Sequence, residues 1–184
     1  MKKELIILLV LMVVLTGIIH AEELTFRGFP MGATKTEVRQ GEDAEFIDEG
    51  NGGLVYLDTL STKQFLILYT FQNNKLVSGM YYFSQDYVSN PNIYVNTYDN
   101  IKSNLVDKYG KADNSNRNWI NNPTFDDGLG SAVKTGELMI NDGWEFDNGE
   151  LSMTLGNNGE EVLFGIIYEG DNYEDNSQST GDKL

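Results

Sequence analysis

Residues 65–71 carry apolar side chains at both parities, with Phe65, Ile67, Tyr69 and Phe71 on one side and Leu66 and Leu68 on the other. Successive strand residues point to opposite faces, so such a strand needs neighbours along both edges and cover over both faces. The chain is thereby committed to a layered sheet with 65–71 as a central strand. Asn73 and Asn74 supply a hairpin turn, and 76–83 returns with Val77, Met80, Tyr81 and Tyr82.

Around this hairpin the pattern alternates between helix and strand. Thr34 and Glu37 form a capping box for a short helix that Gly41 ends. Residues 24–32, rich in Gly and Pro, read as an extended lead-in to it. Strands are expected at 44–48 and 53–57, joined by a turn at 49–52. Tyr94, Tyr98, Ile101, Leu105 and Tyr109 recur at intervals of four, three, four and four. That spacing makes one apolar stripe on a long amphipathic helix over 91–109, with Pro91 in its first turn and Gly110 as its stop. Further strands are expected at 116–120, 136–146, 150–155 and 162–168. Asn148-Gly149 and Asn157-Asn158-Gly159 mark their hairpins.

The fold class is therefore α+β, an antiparallel sheet with the helix of 91–109 packed on it. An echo supports two tandem α-then-β units: Tyr69, Phe71, Asn73 and Leu76 recur in spacing as Trp144, Phe146, Asn148 and Leu151. The first unit is expected over 22–88 and the second over 89–169, with residues 170–184 a disordered acidic tail.

Residues 1–21 read as a secretory signal peptide: Lys2 and Lys3, an apolar run to Ile19, then His20-Ala21. The run falls short of the roughly 20 residues needed to span hydrocarbon. The expected destination is periplasmic or secreted. Loss of Lys2, Lys3 and Glu4 with this segment leaves 11 Lys and Arg against 27 Asp and Glu, a net charge near −16. Such a surface repels nucleic acid and anionic membrane. It favours solubility and reads first as a solvated acidic exterior, with a cationic partner or a divalent cation as the functional alternatives.

Residues 26–38 hold Phe26-Arg27-Gly28, Pro30, Gly32, Thr34-Lys35 and Glu37-Val38, and Lys108-Tyr109-Gly110-Lys111 follows later. Together these resemble a group of small exported bacterial proteins of unknown function, which commonly have Trp where Met31 stands here. Those proteins are similar in turn to the beta-lactamase-inhibitor-protein-like fold, helical elements on an antiparallel sheet in tandem units. The resemblance implies that fold and an envelope or extracellular setting. It carries no active-site or inhibitory residue onto this chain.

The chain has no cysteine, and its single histidine is His20, inside the expected signal. Disulfides, thiol chemistry and cysteine-borne lipid are excluded, and a mature chain lacks the commonest general base. Glu137, Asp142, Glu145, Asp147 and Glu150 gather near one ribbon, as a paired-carboxylate hydrolase would require. Their types are equally those of turns and wet strand faces. Read as a calcium loop from Asp142, the third and fifth positions are Trp144 and Phe146, so the ligand pattern fails. No catalytic residue, cofactor or metal ligand is assigned.

Tyrosine and tryptophan remain as recognition side chains. The candidate binding surface is Tyr81, Tyr82, Tyr87, Trp119, Phe125, Asp126 and Asp127. The expected function is an exported, non-catalytic interaction module for a protein partner. The alternative is a small-ligand, saccharide or cation binder, including a degenerate carboxylate hydrolase.

Overall fold

The structure is a computed structural model and describes residues 23–50, 52–60, 62–83, 89–120 and 128–172. The expected signal, the end of the tail, and Tyr87, Phe125, Asp126 and Asp127 lie outside the described residues. The fold is mixed α+β and mostly sheet.

A two-stranded hairpin opens it, β1 (Thr25–Phe26) and β2 (Phe29–Pro30). Its turn is Arg27-Gly28, with φ of 53° and 85°, the doubly left-handed turn that a tight hairpin demands. The lead-in is thus a hairpin rather than merely extended. Helix α1 (Lys35–Gly41) follows; Thr34 accepts from the Glu37 N–H, and Glu37 reaches back to the Thr34 N–H.

The main sheet has eight antiparallel strands: β3 (Glu45–Gly50), β4 (Gly53–Leu60), β5 (Lys63–Gln72), β6 (Lys75–Phe83), β7 (Asn114–Trp119), β8 (Leu138–Phe146), β9 (Gly149–Asn157) and β10 (Val162–Gly170). Their spatial order is β3-β4-β5-β6-β10-β9-β8-β7. β10 extends to Gly170, opposite Gly149, so the chain is still in the sheet where the tail was expected to begin.

Helix α2 (Asn92–Tyr109) buries Tyr94, Val95, Tyr98, Ile101 and Leu105, and ends where Gly110 at φ 84° donates its N–H to the Val106 carbonyl. A further short helix, α3 (Gly128–Lys134), escaped the sequence pattern. Gly130 lets it approach α2: a Cβ there would lie 2.4 Å from the Asn92 nitrogen. The Asn92 side chain accepts from the Gly130 N–H at 3.0 Å.

All three helices pack on one face. Tyr98 meets Phe164 at 5.6 Å between centroids, and Phe83 meets Tyr94 at 5.9 Å. Val38 of α1 and Ala132 and Val133 of α3 join the same core. Phe65, Ile67, Tyr69, Phe164, Ile166, Leu151, Met153 and Leu155 supply its sheet side, each at 0–1 % exposure. Burying a side chain of this kind is worth about 1.5–3 kcal/mol. The tight join of the first hairpin to the sheet explains Gly79, whose missing Cβ would lie 2.0 Å from the Phe26 ring.

β5 is central, as its composition requires, but only one of its faces is fully covered. Leu66 and Leu68 are half-buried, and so are their cross-strand neighbours Val55, Leu57, Met80 and Tyr82. The second layer expected over them is not formed by any helix among the described residues.

Candidate functional site

Two polar clusters sit beneath the helix-covered face. In the first, Glu42, with its side chain only 2 % exposed, receives Arg27 through Nε and Nη2, both at 2.8 Å. The Tyr69 hydroxyl and the Ala44 N–H also donate to it, and Arg27 continues to Asp58 at 2.7 Å. Burial pushes the Glu42 carboxyl up, but the hydrogen bonds from Arg27, Tyr69 and Ala44 outweigh it and hold the group below its ordinary range. Burial and the Glu42 carboxylate together raise the Tyr69 hydroxyl far above a free phenol.

In the second cluster Asp142, with a fully buried side chain, receives Lys102 of α2 at 2.6 Å and the Tyr98 hydroxyl at 2.7 Å. Lys102 also donates to Ser115 at 3.2 Å. Burial again pushes the carboxyl up, and Lys102, Ser115 and Tyr98 overcome it to hold Asp142 low. Both clusters are closed: carboxylate, cation and phenol satisfy one another. The chemistry they express is structural, clamping α1 and α2 to the sheet. One polar atom of this layer differs, since the buried Tyr56 hydroxyl makes no hydrogen bond among the described residues.

The opposite, outward face is ordered by register into continuous cross-strand rows. One row runs Asp48, Val55, Leu68, Met80, Ile167, Ser152, Gly143, Asn114. The next runs Glu45, Leu57, Leu66, Tyr82, Gly165, Thr154, Asn141, Asn116. The β4–β5–β6–β10 half is therefore apolar, and the β9–β8–β7 half is amide and hydroxyl, with Thr154 donating to Asn141 at 2.9 Å.

A third row closes one end of this face: Glu145 stands opposite Glu150, and Glu150 opposite Glu169. Like charges directly opposite are unfavourable in a sheet. Gly149 permits the crowding there, because a Cβ would lie 2.1 Å from the Glu169 carbonyl oxygen. A shallow cleft of about 320 Å³ lies against these glutamates and Asp171. At the other end Tyr82 donates to Glu161 at 3.1 Å, with burial and that carboxylate raising its hydroxyl.

Of the candidate surface expected from sequence, the three described residues, Tyr81, Tyr82 and Trp119, do not share one patch. Tyr82 lies on the outward face, but Tyr81 lies on the covered one, 5.0 Å from Phe26 and beneath Arg27. The physical reason is strand alternation, which sends adjacent residues to opposite faces. Trp119 stands on the edge strand β7, with β10, β9 and β8 between it and β6. Tyr87, Phe125, Asp126 and Asp127 lie outside the described residues. The acidic ribbon is also split, because Asp142 points into the core while Glu145 and Glu150 are exposed outward. Among the described residues, no group of three or more acidic or histidine side chains is arranged to hold a metal ion. No described helix is long and apolar enough to cross a membrane.

The outward apolar half was missed as a site, although its signal was present. Leu66 and Leu68 were legible as a second apolar parity; no described helix covers them, so among the described residues they stand at the surface. Compared with known proteins, the chain matches no family model, no curated protein and no solved structure. The class is thus defined by the fold and its faces alone: a mixed α+β protein, mostly sheet, with one helix-covered face and one outward face that is apolar over β4–β5–β6–β10 and polar over β9–β8–β7.

Proposed function

We propose that this chain is an exported, non-catalytic interaction module that binds a protein partner through the outward face of its sheet. One observation carries the reading: a contiguous group of partly exposed apolar side chains on four adjacent strands, on the face opposite every described helix. Contiguous apolar surface of this kind marks interaction sites more often than scattered apolar residues do. Export rests on the basic, then apolar, then small-residue pattern of residues 1–21.

The same reading includes a tandem origin. The strand order supports two α-then-four-strand units, α1 with β3–β6 and α2 with β7–β10, joined where β6 pairs with β10. In that arrangement β5–β6 corresponds to β9–β10. The sequence echo instead aligns β5–β6 with β8–β9, hairpins at different distances from their sheet edges. The order of helix and strands supports the repeat better than the echo does.

A photo-crosslinking amino acid in place of Leu68 tests the function. Discrete protein adducts are expected from Leu68 in the envelope or medium, and none from the same probe at exposed Lys111. Absence of adducts from Leu68, or identical adducts from both positions, defeats the reading.

A further inference from the structure

The partner's chemistry is written in what surrounds the apolar patch. The core of that patch is Val55, Leu57, Leu66, Leu68, Met80 and Ile167, on four neighbouring strands. Its borders are acidic on three sides. Glu45 and Asp48 continue its rows onto the edge strand β3, both exposed. Glu145 and Glu150 face each other one row away at the turn end. Glu161 holds the Tyr82 hydroxyl at the opposite end. By register, Lys75, beside Gln72 at the start of β6 and beyond the Thr70–Ser78 row, is the one Lys or Arg at an outward position of the eight described strands, against Glu45, Asp48, Glu145, Glu150 and Glu169. The cations of the covered side are used internally, Arg27 on Glu42, Lys102 on Asp142, and Lys35 and Arg39 on Glu49.

Resting on the interaction reading above, we infer that the outward face binds a cationic amphipathic protein segment, with apolar side chains on the Leu66–Leu68–Met80 patch and Lys or Arg on its acidic borders. Potentials of opposite sign steer such an encounter and fix its orientation, while the apolar centre supplies the holding contact. A second copy of this chain is the wrong complement, since it carries a net charge of −15. The chain's own residues 173–184 hold Glu174, Asp175 and Asp182 against Lys183 alone, and are mismatched in the same way.

Fluorescence anisotropy with three labelled peptides tests the inference on the purified protein: an amphipathic Leu/Lys peptide, its Leu/Glu counterpart, and an oligolysine of equal charge. The Leu/Lys peptide is expected to bind best, by about tenfold or more over either control, with affinity falling as salt rises. Leu68→Lys places a cation in the patch and should weaken the Leu/Lys peptide by about tenfold or more. Glu145→Gln with Glu150→Gln should weaken it less and flatten the salt dependence. Equal binding of the Leu/Lys peptide and oligolysine would reduce the effect to bulk attraction and overturn the inference. Equal binding of the Leu/Glu peptide, or no change with Leu68→Lys in a protein that still melts cooperatively, overturns it too. If Leu68 forms specific adducts in the cell while the Leu/Lys peptide fails to bind, the partner chemistry is wrong and the interaction reading stands. If neither occurs, both fall.

Discussion

Ile67 and Leu68 are neighbours on one strand, yet they belong to opposite regimes. Ile67 is fully buried among rings and aliphatic chains under the helices. Leu68 is half-buried between Val55 and Met80 on the outward face. The covered face is self-sufficient: even its charges find opposite charges within the chain. The outward face has apolar side chains in surplus and carboxylates at its margins, with Lys75 at the start of β6 as its one strand cation among the described residues. The difference teaches that one face closes the fold with its own side chains, while the other keeps apolar side chains that no described helix covers.

The largest test of that contrast removes a cation from the covered side. Lys102→Met leaves the fully buried Asp142 carboxylate with only hydroxyl donors. Breaking a buried pair from one side costs about 3–5 kcal/mol, read as a lower urea midpoint with unchanged slope. Arg27→Met should fall in the same range, because Glu42 is nearly as buried. A loss below about 1 kcal/mol in both variants, the range of an exposed pair, would break the comparison.

Truncating the adjacent pair comes next. Ile67→Ala should cost about 2–5 kcal/mol through lost burial and a residual cavity. Leu68→Ala should cost less than Ile67→Ala, since Leu68 is only partly buried, while reducing binding to the Leu/Lys peptide. Equal losses from the two substitutions would show that the outward face is covered after all.

Acid sharpens the comparison without changing a residue. Glu42 and Asp142 are both held below their ordinary values of 4.5 and 3.8 by the donors around them. A carboxyl lowered in the folded state contributes stability that is complete above its unfolded value and lost as pH falls through its folded value. Unfolding monitored by near-ultraviolet circular dichroism should therefore begin only as pH falls below about 4.5, and proceed through the range beneath it. In Lys102→Met the Asp142 carboxyl loses its cation, so the acid transition should move to higher pH. An unchanged transition would mean that Asp142 is not held low by Lys102.

Much of this architecture was legible in the chain. The capping box at Thr34 and Glu37 and the tyrosine stripe of 94–109 are local signals, and local hydrogen bonding and packing obey them. The helix Gly128–Lys134 was not legible, because Gly128 and Gly130 are poor helix formers and Gly130 is required by the nearness of Asn92. The site was half legible. Apolar side chains at both parities of 65–71 were plain, but whether a second layer covers them depends on where all the helices land, a matter of tertiary arrangement. Tyr81 and Tyr82 show the same limit: alternation separates them, and only the register shows which one faces outward. The pairing of Glu145, Glu150 and Glu169 joins strands whose register no local motif announces.

The smallest expected effect has the opposite sign. Glu145 and Glu150 are exposed and directly opposite, and Glu150 also faces Glu169 across β10. Like charges paired across strands destabilise by about 0.2–1 kcal/mol relative to neutral pairs. Glu145→Gln with Glu150→Gln should therefore leave the melting temperature unchanged or slightly raised at low salt, the gain vanishing in about 1 M salt where the screening length shrinks to about 3 Å. A stabilised fold with a flattened salt dependence of peptide binding is the signature of carboxylates kept for a partner rather than for the sheet. A destabilised one would return these glutamates to the fold, and with them the distinction between the two faces.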